Sequence, residues 1–149
     1  MREMIELKVR DIMTRNIAYV NPMSTVAEAA QLMQKHNVGS IPVCDRNGVV
    51  GIVTDRDIVV RNVAHGQNPS DTAVKDVMTS QVTTVTPDME VSEVSGLMAK
   101  NQIRRVPVVE NNMIVGMLSL GDIATNPRFE MEASDALTEI SRPSRPMMM

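Results

Sequence analysis

An α/β (α+β) fold made of two βαββα units packed about a pseudo-twofold axis is what the sequence predicts, and three observations predict it. The first is a repeat: a stretch beginning at Val9 returns at Val74, an offset of 74 − 9 = 65. It runs without a gap over fifty positions, 18 of them identical, including Met13/Met78, Pro22/Pro87, Glu28/Glu93, Pro42/Pro107, Gly51/Gly116 and Asp57/Asp122, which marks a duplicated unit. The second is an apolar stripe of helical period early in each copy, and the third is a pair of β-rich runs about a turn late in each copy.

In chain order, the first strand of the first copy is short, Ile17 to Val20, and stops at Asn21-Pro22 because proline fixes φ and biases its predecessor away from helix. A helix follows, with Val26, Ala29, Ala30 and Met33 at i, i+3, i+4 and i+7 and with Thr25 and Glu28 as a capping box. The second copy keeps the stripe as Val91, Val94, Leu97 and Met98, but Glu90 in place of Thr25 weakens its cap. "IPVCDRNGVVGIVT" then places two strands around Asp45-Arg46-Asn47-Gly48, where Asn-Gly suits a turn that needs positive φ. The near-continuous apolar run Val49 to Val53 suits a strand covered on both faces. A last helix runs from Asp55 to about Ala64 and is stopped by Gly66.

These elements divide the chain into a first domain, 1–64 with its core at 9–64, a linker, 65–73, and a second domain, 74–125. Residues 126–149 form a C-terminal helix, with Phe129, Ala133, Ala136, Leu137 and Ile140 at helical spacing, and a Pro-broken flexible tail. One copy alone would bury only about 60% of its unfolded surface and be marginally stable, so duplication serves stability before it serves function.

Composition narrows the function. The formal charge of −3, one Tyr, one Phe and no Trp give neither electrostatic attraction to a polyanion nor a stacking platform, so nucleic acid is not a partner. No apolar run reaches the ~20 residues of a membrane span, and the N-terminus alternates charged with apolar residues where a secretion signal would be continuously apolar, which predicts a soluble, cytoplasmic protein without membrane association. The single cysteine, Cys44, reads as a small apolar strand residue. His36 and His65 have no base or nucleophile at telling spacing, and with Cys44 they make no zinc spacing, so neither catalysis nor a metal site is expected. The fourteen methionines, with Met33, Met98 and Met117 on the apolar phase, read first as core filler.

Each copy ends its hairpin with a hydroxyl and an acid three residues on: Thr54 and Asp57 in "GIVTDRDI", Ser119 and Asp122 in "GMLSLGDI". Such a pair caps a helix, the hydroxyl accepting a backbone N–H and the acid meeting the positive end of the dipole. The same residues also suit a nucleotide, since a helix start holds an anion and a carboxylate accepts hydrogen bonds from a ribose diol. Both readings stay open at the level of spacing.

With "DIMT" and "DVMT", the Pro22 and Pro87 turns, "SIPVCD" and "RVPVVE", and the two hydroxyl–acid motifs in order and duplicated, residues 9–125 resemble a tandem pair of CBS domains, the Bateman module named after cystathionine beta-synthase. The resemblance implies two βαββα CBS repeats and a non-catalytic sensor that binds an adenine nucleotide, with AMP, ADP or ATP as candidate ligands, in clefts between the repeats. It places Thr54 and Asp57 with Thr79, Val82 and Thr83 in one cleft, and Ser119 and Asp122 with Thr14, Ile17 and Ala18 in the other. Taken singly, the aliphatic members read equally as ordinary core. Arg104 and Arg105 replace Gly39 and Ser40; the resemblance makes them phosphate contacts and the Asp122 cleft the stronger, while a solvated loop is their plain alternative. The Asp57 cleft is left with Arg56, His36 or Lys35 as its cation. The family also implies a homodimer and an effector protein not identified by the sequence. A dimerising scaffold without any small-molecule ligand is the competing function.

Overall fold

The computed structural model describes residues 7–126 and 129–142. Its elements are helix α1 (Val9–Ile12), helix α2 (Val26–His36), strands β1 (Ser40–Asp45) and β2 (Gly48–Thr54), and helix α3 (Asp55–Ile58), which continues as a wider turn over Val59–Val63. After a short 3₁₀ turn at Val74–Asp76 come α4 (Val91–Asn101), β3 (Arg105–Glu110), β4 (Met113–Ser119), α5 (Leu120–Ala124) and α6 (Glu130–Ile140). β1 pairs with β2 and β3 with β4, giving two small antiparallel sheets.

The chain separates into two compact units, and neither coincides with a sequence copy. One comprises residues 16–83 and 109–115; the other comprises, among the described residues, 7–15, 84–108, 116–126 and 129–142. In the first unit, Val20, Val26, Ala29, Met33, Ile41, Val43, Val53, Val74 and Val77 form the apolar core. Val74 and Val77 come from the start of the second copy. They are held there because Val26 N–H donates to Thr72 O (2.9 Å), Val74 N–H to Ser24 O (2.7 Å) and Lys75 N–H to Pro22 O (3.0 Å). The second unit repeats this with the start of the first copy: Val91 N–H donates to Leu7 O (3.0 Å), Val9 N–H to Met89 O (2.9 Å) and Arg10 N–H to Pro87 O (3.0 Å). Arg10 also pairs with Asp88. The proline turns are therefore acceptors for the first residues of the other copy.

α2 is capped as its sequence predicts: Glu28 N–H donates to Thr25 Oγ1 (3.1 Å) and Thr25 N–H to Glu28 Oε2 (3.3 Å), whereas Glu90 gives α4 no side-chain cap. Val26, Ala29 and Met33 are buried but Ala30 is exposed, so the buried stripe is narrower than the periodicity suggests. The strand expected over Ile17 to Val20 is reduced to one bridge, Val20 beside Val43, because the chain turns at Asn21 to start α2. In the first hairpin, positive φ falls on Gly48 alone (φ 110°), whose absent side chain leaves room for Asn112 O; Asn47 N–H donates to Asp45 Oδ1 (2.7 Å). The second hairpin instead turns on Asn111 and Asn112, both at positive φ. Gly66 (φ 68°) ends the helix that begins at Asp55, as expected.

The C-terminal helix docks within the second unit, α6 packing on α4 and α5 with Ala133 and Ala136 buried. Gln102 Nε2 donates to Glu139 O (3.1 Å) across that contact. The expected tail, 143–149, lies outside the described residues.

Candidate functional site

The two hydroxyl–acid motifs are built alike. In the first unit, strand β2 delivers Thr54 to the start of α3, where Asp57 N–H donates to Thr54 Oγ1 (3.0 Å) and Thr54 N–H to Asp57 Oδ2 (3.0 Å). In the second, β4 delivers Ser119 to α5 with the same reciprocal bonds, Asp122 N–H to Ser119 Oγ (3.0 Å) and Ser119 N–H to Asp122 Oδ2 (2.9 Å). The capping reading is thus correct for both copies. It leaves chemistry over: each hydroxyl that accepts an N–H retains its own O–H to donate, and one carboxylate oxygen satisfies the cap.

Why the motif opens with glycine follows from the neighbouring strand. Thr14 and Met117 exchange backbone hydrogen bonds (2.9 Å each way), and Thr79 and Ile52 do the same (2.8 and 3.0 Å). A side chain on Gly116 would lie 2.8 Å from Met13 Sδ and 2.9 Å from Thr14 O; one on Gly51 would lie 2.6 Å from Met78 Sδ and 3.0 Å from Thr79 O. The "DIMT" and "DVMT" segments thereby seat against the strands that carry the acids.

Around Asp122 the result is a cavity of about 270 Å³ lined by Ile12, Asp122, Thr125 and Asn126. Arg104 O accepts Leu120 N–H (2.7 Å), which brings the backbone before β3 to the start of α5; the side chains of Arg104 and Arg105 are exposed. Thr14, Arg104, Arg105, Ser119 and Asp122 all belong to this unit, whereas Ile17 and Ala18 belong to the other, where Ala18 packs on the apolar core. α5 is only five residues long, so its dipole is a minor attraction for an anion.

Around Asp57 the neighbours differ. Asp57 is buried, and Arg61, one turn on, lies with Nε 4.0 Å from its Oδ1 while Nη1 donates to Val77 O (3.1 Å) and Met78 O (3.0 Å). The first copy also has Asp55 where the second has Leu120. Thr54, Asp57, Thr79, Val82 and Thr83 share this unit, with Val82 and Thr83 half-buried. The cation paired with Asp57 is Arg61, itself about half exposed (48%); Arg56 and His36 are exposed, and Lys35 lines a separate cavity of about 520 Å³ with Tyr19, Asn21, Ser24 and Glu28. Asn21, Ser24 and Glu28 there accept backbone N–H groups at the start of α2. The signal for Arg61 was in the sequence, as an acid and a base at i, i+4 on a helix.

The wider turn after α3, where Ala64 N–H donates to Val59 O (2.9 Å), an i to i+5 bond, buries Asn62 completely; neither its side-chain oxygen nor its nitrogen meets a hydrogen-bond partner among the described residues. Burial, aided by Asp45, raises the Cys44 thiol to about 11, so at neutral pH it stays protonated and inert. Among the described residues no group of three or more His, Cys, Asp or Glu is placed to hold a metal ion, and no helix is long and apolar enough to cross a membrane.

The CBS-domain family model matches residues 9–62 and 74–127. The CBS domain-containing protein YhcV of Bacillus subtilis is 44% identical over 133 residues, covering 89% of this chain and 94% of its own. Among solved structures, the CBS domain pair of protein MJ0100 in complex with 5′-methylthioadenosine and S-adenosyl-L-methionine superposes with a TM-score of 0.71 at 31% identity, covering 81% of this chain and 95% of that one. A hexameric CBS-CP12 protein from bloom-forming cyanobacteria superposes with a TM-score of 0.74 at 32% identity, over 84% of this chain and 73% of its own.

Proposed function

The chain belongs to the CBS-domain family, a tandem pair of regulatory modules, and from that premise we propose that it is a non-catalytic sensor of an adenine-containing ligand held chiefly at Asp122. One observation carries this reading: a capped carboxylate and a hydroxyl, Asp122 and Ser119, sit at the end of β4, and Asp122 lines a cavity with Ile12, Thr125 and Asn126. In such a place the carboxylate accepts from a ribose diol and the serine O–H donates to phosphate or a further ribose oxygen. Thr14 edges the strand alongside, and Arg104 and Arg105 supply guanidinium groups for a phosphate. The Asp57 set, Thr54, Thr79, Val82 and Thr83 with it, is the lesser position. The methylthioadenosine and S-adenosylmethionine bound by the MJ0100 pair support an adenosine moiety as the shared feature; AMP, ADP and ATP are the nucleotides of that class.

The sensor works as a homodimer that passes its state to an effector protein. Val59, Val60 and Val63 stand 58%, 47% and 60% exposed on one helix, an apolar face suited to a second copy, and the hexameric state of the CBS-CP12 protein supports self-association. A thermal-shift panel of AMP, ADP, ATP, NAD and S-adenosylmethionine tests the ligand. At a hundred times its Kd a ligand adds about 2.7 kcal/mol, a rise in midpoint of roughly 5–10 °C for a chain of this size. A midpoint unmoved by all five would leave the family scaffold role in its place.

A further inference from the structure

The 65-residue offset relates the surroundings of the two motifs residue by residue. The cavity in the second copy is lined by Ile12, Asp122, Thr125 and Asn126. Their counterparts in the first copy are Val77, Asp57, Val60 and Arg61. Where the second copy has the short amide of Asn126, the first has a guanidinium that reaches from the Asp57 carboxylate to the carbonyls of Val77 and Met78. Val77 stands in the place of the cavity wall Ile12. The Arg61 side chain, about half exposed (48%), thus reaches from beside Asp57 to the carbonyls of the segment that carries Val77.

We infer that Arg61 is a resident plug of the Asp57 position, occupying the volume that stays open beside Asp122 and limiting each chain to one adenine ligand. This rests on the adenine-ligand reading above. Three features hold the plug. Two carbonyl acceptors fix the guanidinium at its tip, Asp57 Oδ1 lies 4.0 Å from Nε, and the one-turn spacing on a common helix sets the reach. Charge works in the same direction. The first copy carries Asp55 beside Asp57 where the second has Leu120 beside Asp122, and it has Gly39 and Ser40 where the second has Arg104 and Arg105. A phosphate-bearing ligand therefore meets two carboxylates, and the cation there is already bound to backbone. A carbonyl pair cannot follow Arg61 toward a ligand, so exchanging the plug for a phosphate contact gives up both of these hydrogen bonds.

The test is ligand stoichiometry by isothermal titration with AMP, ATP and S-adenosylmethionine on the wild-type chain and on Arg61→Asn, which copies the residue at 126. Arg61→Ala serves as the second variant, and circular dichroism checks that both fold. The plug predicts one site per wild-type chain and two in either variant, the added site disappearing when Asp57→Ala is combined with Arg61→Asn. One site in all three proteins, or two in the wild type, overturns it. Two wild-type sites falling to one in the variants would make Arg61 a ligand contact and also overturn it. If the wild type binds none of the three probes, the adenine reading of Asp122 fails, and the plug survives only if Arg61→Asn or Arg61→Ala gains a site; no gain sinks both.

Discussion

Two copies of one motif share every backbone bond that builds it and differ in what surrounds the acid. Thr54/Asp57 and Ser119/Asp122 make the same reciprocal cap, and Gly51 and Gly116 face Met78 and Met13 at nearly the same separation. Yet Asp122 lines a cavity while Asp57 is buried beside a tethered arginine. Capping therefore does not exclude a ligand at either acid. The cap fixes the carboxylate in one rotamer in both copies, and the residues at 61 and 126 decide what that fixed carboxylate faces.

The shared part is tested first, because it carries the largest effect. Gly51→Val and Gly116→Val each push a branched side chain against a backbone carbonyl that cannot move without breaking a strand pair. Each should destabilise by about 3 kcal/mol, the upper end for overpacking, and urea unfolding should give equal losses for the two. A loss confined to one copy would break the equivalence. A smaller effect sharpens the difference. Asn62 belongs to the first copy only, and burying an unpaired amide costs about 1–3 kcal/mol, so the near-isosteric Asn62→Leu should raise the thermal midpoint by a few degrees. A lower midpoint would mean that the amide has a partner in solution, and that the wide turn after α3 is built around it.

Much of this was legible in the sequence. The repeat located both hairpins and both hydroxyl–acid pairs, and local spacing located the Thr25–Glu28 cap and the glycine at the helix end, since each depends on residues within a few positions of one another. What escaped depends on distant packing. Periodicity includes Ala30 in the α2 stripe, but an alanine adds little area at the edge of a face, and the fold leaves it exposed. The strand at Ile17 shrank to one bridge because its pairing length is set by where α2 must begin. Arg61 was overlooked although Asp57 lies one turn before it, because its acceptors, Val77 O and Met78 O, are backbone groups that no side-chain pattern reveals. Arg104 and Arg105 stand where expected, at the entry to β3, and their side chains are exposed.

The most direct test of the account is the affinity of whichever adenine ligand raises the midpoint, measured by equilibrium titration on Asp122→Ala and on Asp57→Ala. Hydrogen bonds to a charged group contribute about 1.5–3 kcal/mol, so Asp122→Ala should bind roughly ten- to a hundredfold more weakly, and Asp57→Ala should lose less than about threefold. Unchanged affinity in Asp122→Ala, or the larger loss in Asp57→Ala, would contradict it.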